Sequence, residues 1–239
     1  MALLLGLASV QAPAPRDYGP RALSPFAAAK ARALLRDRLP CLGCHQLNGD
    51  GGRIGPDLSN LGARRSPAFV LGMILDPAAT LPGTGMPKTP LSRSTAELIA
   101  SFLAGDGKTG NGGASPAPGA PPRSPTTTPQ DAAALYARYC AACHGERGRG
   151  DGYNAEFLPV PPAPHADRAF MSRRTDDRLF DGIYAGGYVL GASARMPAFG
   201  ETLSRAEIRG LVHYLRELCR CQGPAWTRDP SPSPSAPSR

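Results

Sequence analysis

The sequence is poor in aromatic residues, in long apolar runs and in clustered charge, and each shortage removes a class of protein. One Trp, seven Tyr and seven Phe make up 6% of the 239 residues, too few for a large core built from side chains alone. The apolar stretch Ala2 to Val10 is nine residues long, well short of the roughly 20 that a membrane-crossing helix needs. Lys and Arg number 27 against 19 Asp and Glu, a net charge of +8, yet no run of one sign stands out. No nucleic-acid partner is therefore expected. No positive residue precedes the apolar stretch and no lipid-attachment cysteine follows it. It ends in Val10-Gln11-Ala12, a small-x-small cleavage pattern, so residues 1–12 read as an export signal.

Gly (28) and Pro (27) are plentiful, which suits short helices joined by long loops. Four of the six cysteines fall in two copies of one pattern, Cys41-Leu42-Gly43-Cys44-His45 and Cys140-Ala141-Ala142-Cys143-His144. Cysteines three apart lie on one side of a helical turn, so both thiols can add to the two vinyl groups on one edge of a porphyrin. The next residue then turns its imidazole to the iron. The reading is two covalently bound haem c groups, attached through Cys41, Cys44, Cys140 and Cys143, with His45 and His144 as axial ligands. Such attachment follows export, so the expected compartment is the periplasm.

The motifs lie about 100 residues apart and divide the chain. Residues 13–23 form a Pro-rich spacer, 24–105 a first domain, 106–127 a flexible Gly/Pro/Ser linker, 128–222 a second domain, and 223–239 a tail alternating Pro and Ser that should be disordered. Each domain is near the size at which a side-chain core is marginal, and a porphyrin would supply the rest. In the first half, Ser24-Pro25 opens a helix over Phe26–Leu39, Ser66-Pro67 opens one ending at Asp76-Pro77, and Ser94-Thr95-Ala96-Glu97 is a capping box for the last. In the second, Thr128-Pro129 opens the helix into Cys140, Thr175–Tyr184 is helical, and Ser204-Arg205-Ala206-Glu207 is again a capping box. The same order of features occurs twice, an internal repeat.

Each motif is also followed by a Met-Pro. Met86 stands between Gly85 and Pro87, and Met196 between Arg195 and Pro197. Proline after the Met bars a helix and holds the sulfur on an extended loop, so both read as second axial ligands. Met73, inside the apolar run Phe69–Leu75, reads as core filling. His213 reads as a surface residue of the last helix, and His165, in a Pro-rich loop, is a competitor for the second iron. Cys219-Arg220-Cys221 leaves open a short disulfide, a pairing with another subunit, a metal site, or idle thiols.

On CLGCH, GPDLS, TGMP and LSRSTAELIASFL in the first half, and CAACHG, LPVPPA, RMPAFG and LSRAEIRGLVHYL in the second, each half resembles a class I cytochrome c domain. The resemblance implies an all-α fold of two tandem cytochrome c domains, with first and last helices crossing near the haem edge and a loop Met closing the sixth position. It also implies that a carbonyl of the proline segment receives the histidine Nδ1 hydrogen: Pro56 in the first half, and Pro161 or Pro162 in the second, with Pro162 as the working assignment.

A haem held between His and Met is full and low-spin, which suits single-electron transfer. The chain thus reads as a periplasmic dihaem carrier between respiratory redox partners, not an enzyme, with no catalytic residues assigned. A cytochrome subunit docked on a larger, membrane-associated oxidase or oxidoreductase complex is the second reading. A dihaem peroxidase or thiosulfate dehydrogenase is the third, and it shares only the haem count. Residues 24–105 carry nine Lys/Arg against five Asp/Glu, and 128–222 twelve against eleven. The excess reads first as a solvated surface, and second as a docking face for an acidic partner or anionic lipid. The His-to-Met interval is 41 residues in one half and 52 in the other, so the two environments should differ in potential.

Overall fold

A computed structural model describes residues 18–105 and 129–227. Residues 1–17, with the expected export signal, residues 106–128, with the expected linker, and residues 228–239 lie outside the described residues. Ten helices and one two-stranded ladder account for the regular structure among them. The fold is all-α, as expected.

In the first half α1 (Pro25–Asp37) starts where Ser24 Oγ accepts from Ala27 N at 3.2 Å, with proline in its first turn. Ala31 and Leu35, four apart on one face, are fully buried. Pro40 separates α1 from the single turn α2 (Cys41–Cys44). The chain then forms a minimal antiparallel ladder, β1 (Gln46–Leu47) against β2 (Asp50–Gly51), turning through Asn48 and Gly49 at φ 51° and 90°. Ser66 caps α3 (Pro67–Leu75). Asp76 both ends α3 and opens one further turn, α4 (Pro77–Thr80), because its carboxylate accepts from Ala79 N at 3.0 Å.

The last helix of this half, α5 (Arg93–Gly105), departs from the expected start. Ser94 is inside it, and the expected capping box does not form. Ser92 Oγ instead accepts from Thr95 N at 3.3 Å, and Glu97 pairs with Arg93 at 2.9 Å. The earlier start brings Arg93 into the helix, so that it shares a face with Glu97 one turn on.

The second half runs through α6 (Pro129–Tyr139), α7 (Ala141–His144), α8 (Arg168–Met171), α9 (Asp176–Ala185) and α10 (Arg205–Cys219). The capping box of α10 is complete, with Ser204 Oγ accepting from Glu207 N at 3.2 Å and Glu207 Oε2 accepting from Ser204 N at 2.7 Å.

Two hydrophobic cores follow from these elements. Ala31 and Leu35 of α1 meet Ala96, Ile99, Ala100 and Leu103 of α5 over Val70 and Leu71 of α3. In the other, Tyr136 of α6 packs with Ile208, Leu211 and Leu215 of α10, beside Met171, Ile183 and Phe199. Met73 is only half-buried, and its neighbours Val70, Leu71 and Gly72 take the buried positions of α3.

The spacer is not a spacer throughout. Tyr18 OH donates to Glu97 O at 2.9 Å and meets Ser101 Oγ at 2.6 Å, and Arg21 N donates to the same hydroxyl at 3.2 Å, so this segment is tied across α5. At the other end Cys219 and Cys221 form a disulfide with Cα atoms 5.1 Å apart, one of the four alternatives that the sequence leaves open. Trp226 is 80% exposed. Among the described residues no helix is long and apolar enough to cross a membrane.

Candidate haem-attachment sites

Each attachment motif sits on one helical turn delivered by a longer helix. α1 leads through Pro40 into α2, and α6 leads directly into α7. All four motif cysteines are free thiols. Burial pushes Cys41 up to about 11 and Cys44 and Cys140 up to about 12, and it raises Cys143 as well. They are protonated thiols held in an apolar setting rather than reactive thiolates.

The histidines are fixed by the nitrogen that does not face a metal. His45 Nδ1 donates to Pro56 O at 2.7 Å, and His144 Nδ1 donates to Ala163 O at 2.9 Å. A proton held on Nδ1 leaves Nε2 with its lone pair free, the tautomer a metal ligand needs. Burial lowers the pKa of both rings, against a smaller raising effect of those carbonyl contacts, so both stay neutral. The second carbonyl corrects the assignment to Pro162. The segment Pro161-Pro162-Ala163-Pro164 turns one residue further before facing His144, while the Pro162 carbonyl lies over Gly150.

Shape supports the same group. A Cβ on Gly55 would run into the His45 ring, so only glycine lets the Pro56 carbonyl come alongside the imidazole. Among the described residues no three His, Cys, Asp or Glu side chains converge to hold a bare ion. Paired thiols, none of them oxidised to each other, beside a tautomer-locked imidazole fit a haem c and not a zinc centre.

Met86 and Met196 are both half-buried on their loops. Met196 packs against the second core, and its carbonyl accepts from Gly187 N at 3.1 Å. The loop of Met86 is held by the other half: Arg138 Nη2 donates to Gly83 O and Thr84 O at 3.3 and 3.2 Å, and Lys88 N donates to Thr202 Oγ1 at 2.9 Å.

His165 is buried and stacks on His144, with ring centroids 4.0 Å apart and planes 14° apart, and its Nδ1 meets Tyr136 OH at 3.1 Å. A ring lying flat on the proximal imidazole stands beside that ligand rather than across the iron from it, so His165 is not placed as a competitor. His213 is exposed on α10 and pairs with Glu217 at 3.4 Å.

The two motifs also meet each other, which composition and spacing do not reveal. Asn154 is fully buried between them, and Arg195 carries its guanidinium across to Asp50 at 3.2 Å. The Arg195 side chain is only 7% exposed, and its Nη1 has no hydrogen-bond partner. A Cβ on Gly43, in the first attachment turn, would collide with the Arg195 carbonyl. In sequence Asn154 looks like a turn residue of a Gly-rich loop, and Arg195 like one more surface arginine.

The class this geometry fits is a helical domain whose paired thiols and tautomer-fixed imidazole suit a covalently attached c-type haem. Residues 127–215 match the family described as cytochrome c oxidase, cbb3-type, subunit III. No curated protein matches the chain. One solved structure, the Kuenenia stuttgartiensis reducing HAO-like protein complex, is similar at 21% identity over 66% of this chain and 79% of that one, with a TM-score of 0.32, a likeness too slight to bear on fold or function.

Proposed function

We propose that the chain is a periplasmic dihaem electron carrier, with His45 and Met86 holding one iron and His144 and Met196 the other. The observation that supports it is the repetition of one local geometry: two free thiols on one turn, and an imidazole whose Nδ1 is tied to a carbonyl of the proline segment. Haem c supplies a one-electron couple. The chain's own residues would do the rest: the thiols would anchor the group, the carbonyls hold each histidine's Nδ1 proton, and the Met-Pro loops would supply the second ligand to each iron.

Met86→Ala and Met196→Ala test this in the holoprotein. Each should abolish the weak far-red Met-to-ferric-iron band of one haem, lower that haem's midpoint and open it to carbon monoxide. Unchanged spectra in either variant would place the ligand elsewhere.

A second reading, a subunit docked on a larger redox complex, is favoured by the family of the second half, whose description names an oxidase subunit. Co-purification of the native protein with a membrane oxidase after mild detergent would support it. Recovery of the whole population as a free periplasmic species would count against it.

A further inference from the structure

The seam between the halves is centred on one amide. Asn154 Nδ2 donates to Gly43 O at 2.9 Å and to Cys143 Sγ at 3.2 Å, while its Oδ1 accepts from Arg53 N at 2.7 Å. The side chain thus spends both hydrogens and its carbonyl on three partners, two in the first half and one in the second. Gly43 is bonded through its carbonyl carbon to Cys44, so one nitrogen joins the peptide beside an attachment cysteine of one half to the attachment sulfur of the other.

The site is buried, Asn154 being 0% exposed. A buried amide with every polar atom satisfied is held in one orientation, and losing a partner there costs the full desolvation of what remains. Its backbone is fixed as well, since Asn154 N donates to Ala142 O at 2.9 Å. The residue is therefore anchored to the second attachment turn and reaches the first.

We infer that Asn154 is a positioning residue that locks the two attachment turns edge to edge, so that the groups they carry behave as one electrostatically coupled pair. The inference rests on the dihaem reading above. Charges fixed close together away from water interact more strongly than charges that drift on a flexible linker, where solvent and salt screen them. Oxidation in one half should then raise the midpoint of the other, and the two halves should melt together.

The test is a redox titration of the full-length holoprotein, resolved by haem and paired with thermal unfolding, for wild type, Asn154→Ala and Phe157→Ala. Phe157 lies on the same seam under the Arg53 guanidinium, 4.2 Å from ring centroid to Cζ, and belongs to neither attachment turn. Wild type should show two haems with interacting midpoints and one unfolding transition. Asn154→Ala should keep both haem spectra but lose at least half of the interaction, and its single transition should split or broaden. Phe157→Ala should keep the interaction. If Asn154→Ala titrates like wild type, or if Phe157→Ala loses as much, the inference is wrong while the dihaem reading stands. One haem per wild-type chain would remove both. Should the alanine variant not accumulate, Asn154→Asp makes the same measurement: it keeps the acceptor for Arg53 N but has no hydrogens for Gly43 O or Cys143 Sγ, and an unchanged interaction in it would equally overturn the assignment.

Discussion

The attachment cysteines and both histidines are legible from their spacing alone, because covalent haem attachment demands that spacing. The second carbonyl is not. Whether Pro162 or Ala163 faces His144 depends on how far the chain has turned, a one-residue matter that two consecutive prolines and a third after Ala163 leave undecided. Gly43 and Arg195 carry predictions at this scale. Gly43→Ala forces the Arg195 carbonyl away from the first attachment turn and should destabilise the protein by about 1–3 kcal/mol, the usual cost of overpacking, seen as a lower midpoint in urea unfolding. Arg195 pairs with Asp50 and its charge reaches Cys41. A fixed positive charge favours the reduced form of a nearby centre. Arg195→Gln should therefore lower the first-half midpoint by on the order of tens of millivolts, measured by redox titration, with a smaller change in the second half.

Helices were legible where a cap and an apolar face coincide. Ser24, Ser66, Thr175 and Ser204 each cap the helix that their sequence context announces. α5 begins early because Ser92 rather than Ser94 takes the cap, its Oγ accepting from Thr95 N. The capping box of α10 holds the helix whose Ile208, Leu211 and Leu215 form the second core. Ser204→Ala should cost about 1 kcal/mol, a fall in melting temperature of a few degrees, and should leave the haem spectra alone. The Cys219–Cys221 disulfide lies at the end of this helix with Arg216 against it: Arg216 Nη1 donates to Met171 O at 2.9 Å, and Nη2 pairs with Asp176 at 2.7 Å. Its closure was not legible, because sequence cannot say whether two nearby thiols meet.

At the scale of the whole molecule, the sequence announces two like motifs but not the seam between them. Internal repetition announces two halves, but their docking is decided by single side chains about 100 residues apart, with no periodicity to betray them. Three imidazoles also give the molecule a pH dependence. In the haem-free chain His45, His144 and His165 are held below the ordinary value of 6.5, chiefly by burial. The unfolded chain then binds protons that the folded chain refuses, so stability is full above about pH 6.5 and falls as the pH drops below it. Haem-free protein should melt at a clearly lower temperature at pH 5 than at pH 7.5, by circular dichroism, and equal melting temperatures would contradict the burial of these rings.

The central claim is that both motifs are loaded and saturated. The most direct measurement is the haem content of the exported protein by pyridine haemochrome against protein concentration, made for wild type and for Cys140→Ala/Cys143→Ala. Two haems per wild-type chain and one in the variant are predicted, each low-spin in the ferric state. One haem in wild type, or a high-spin ferric signal from either half, would contradict the account.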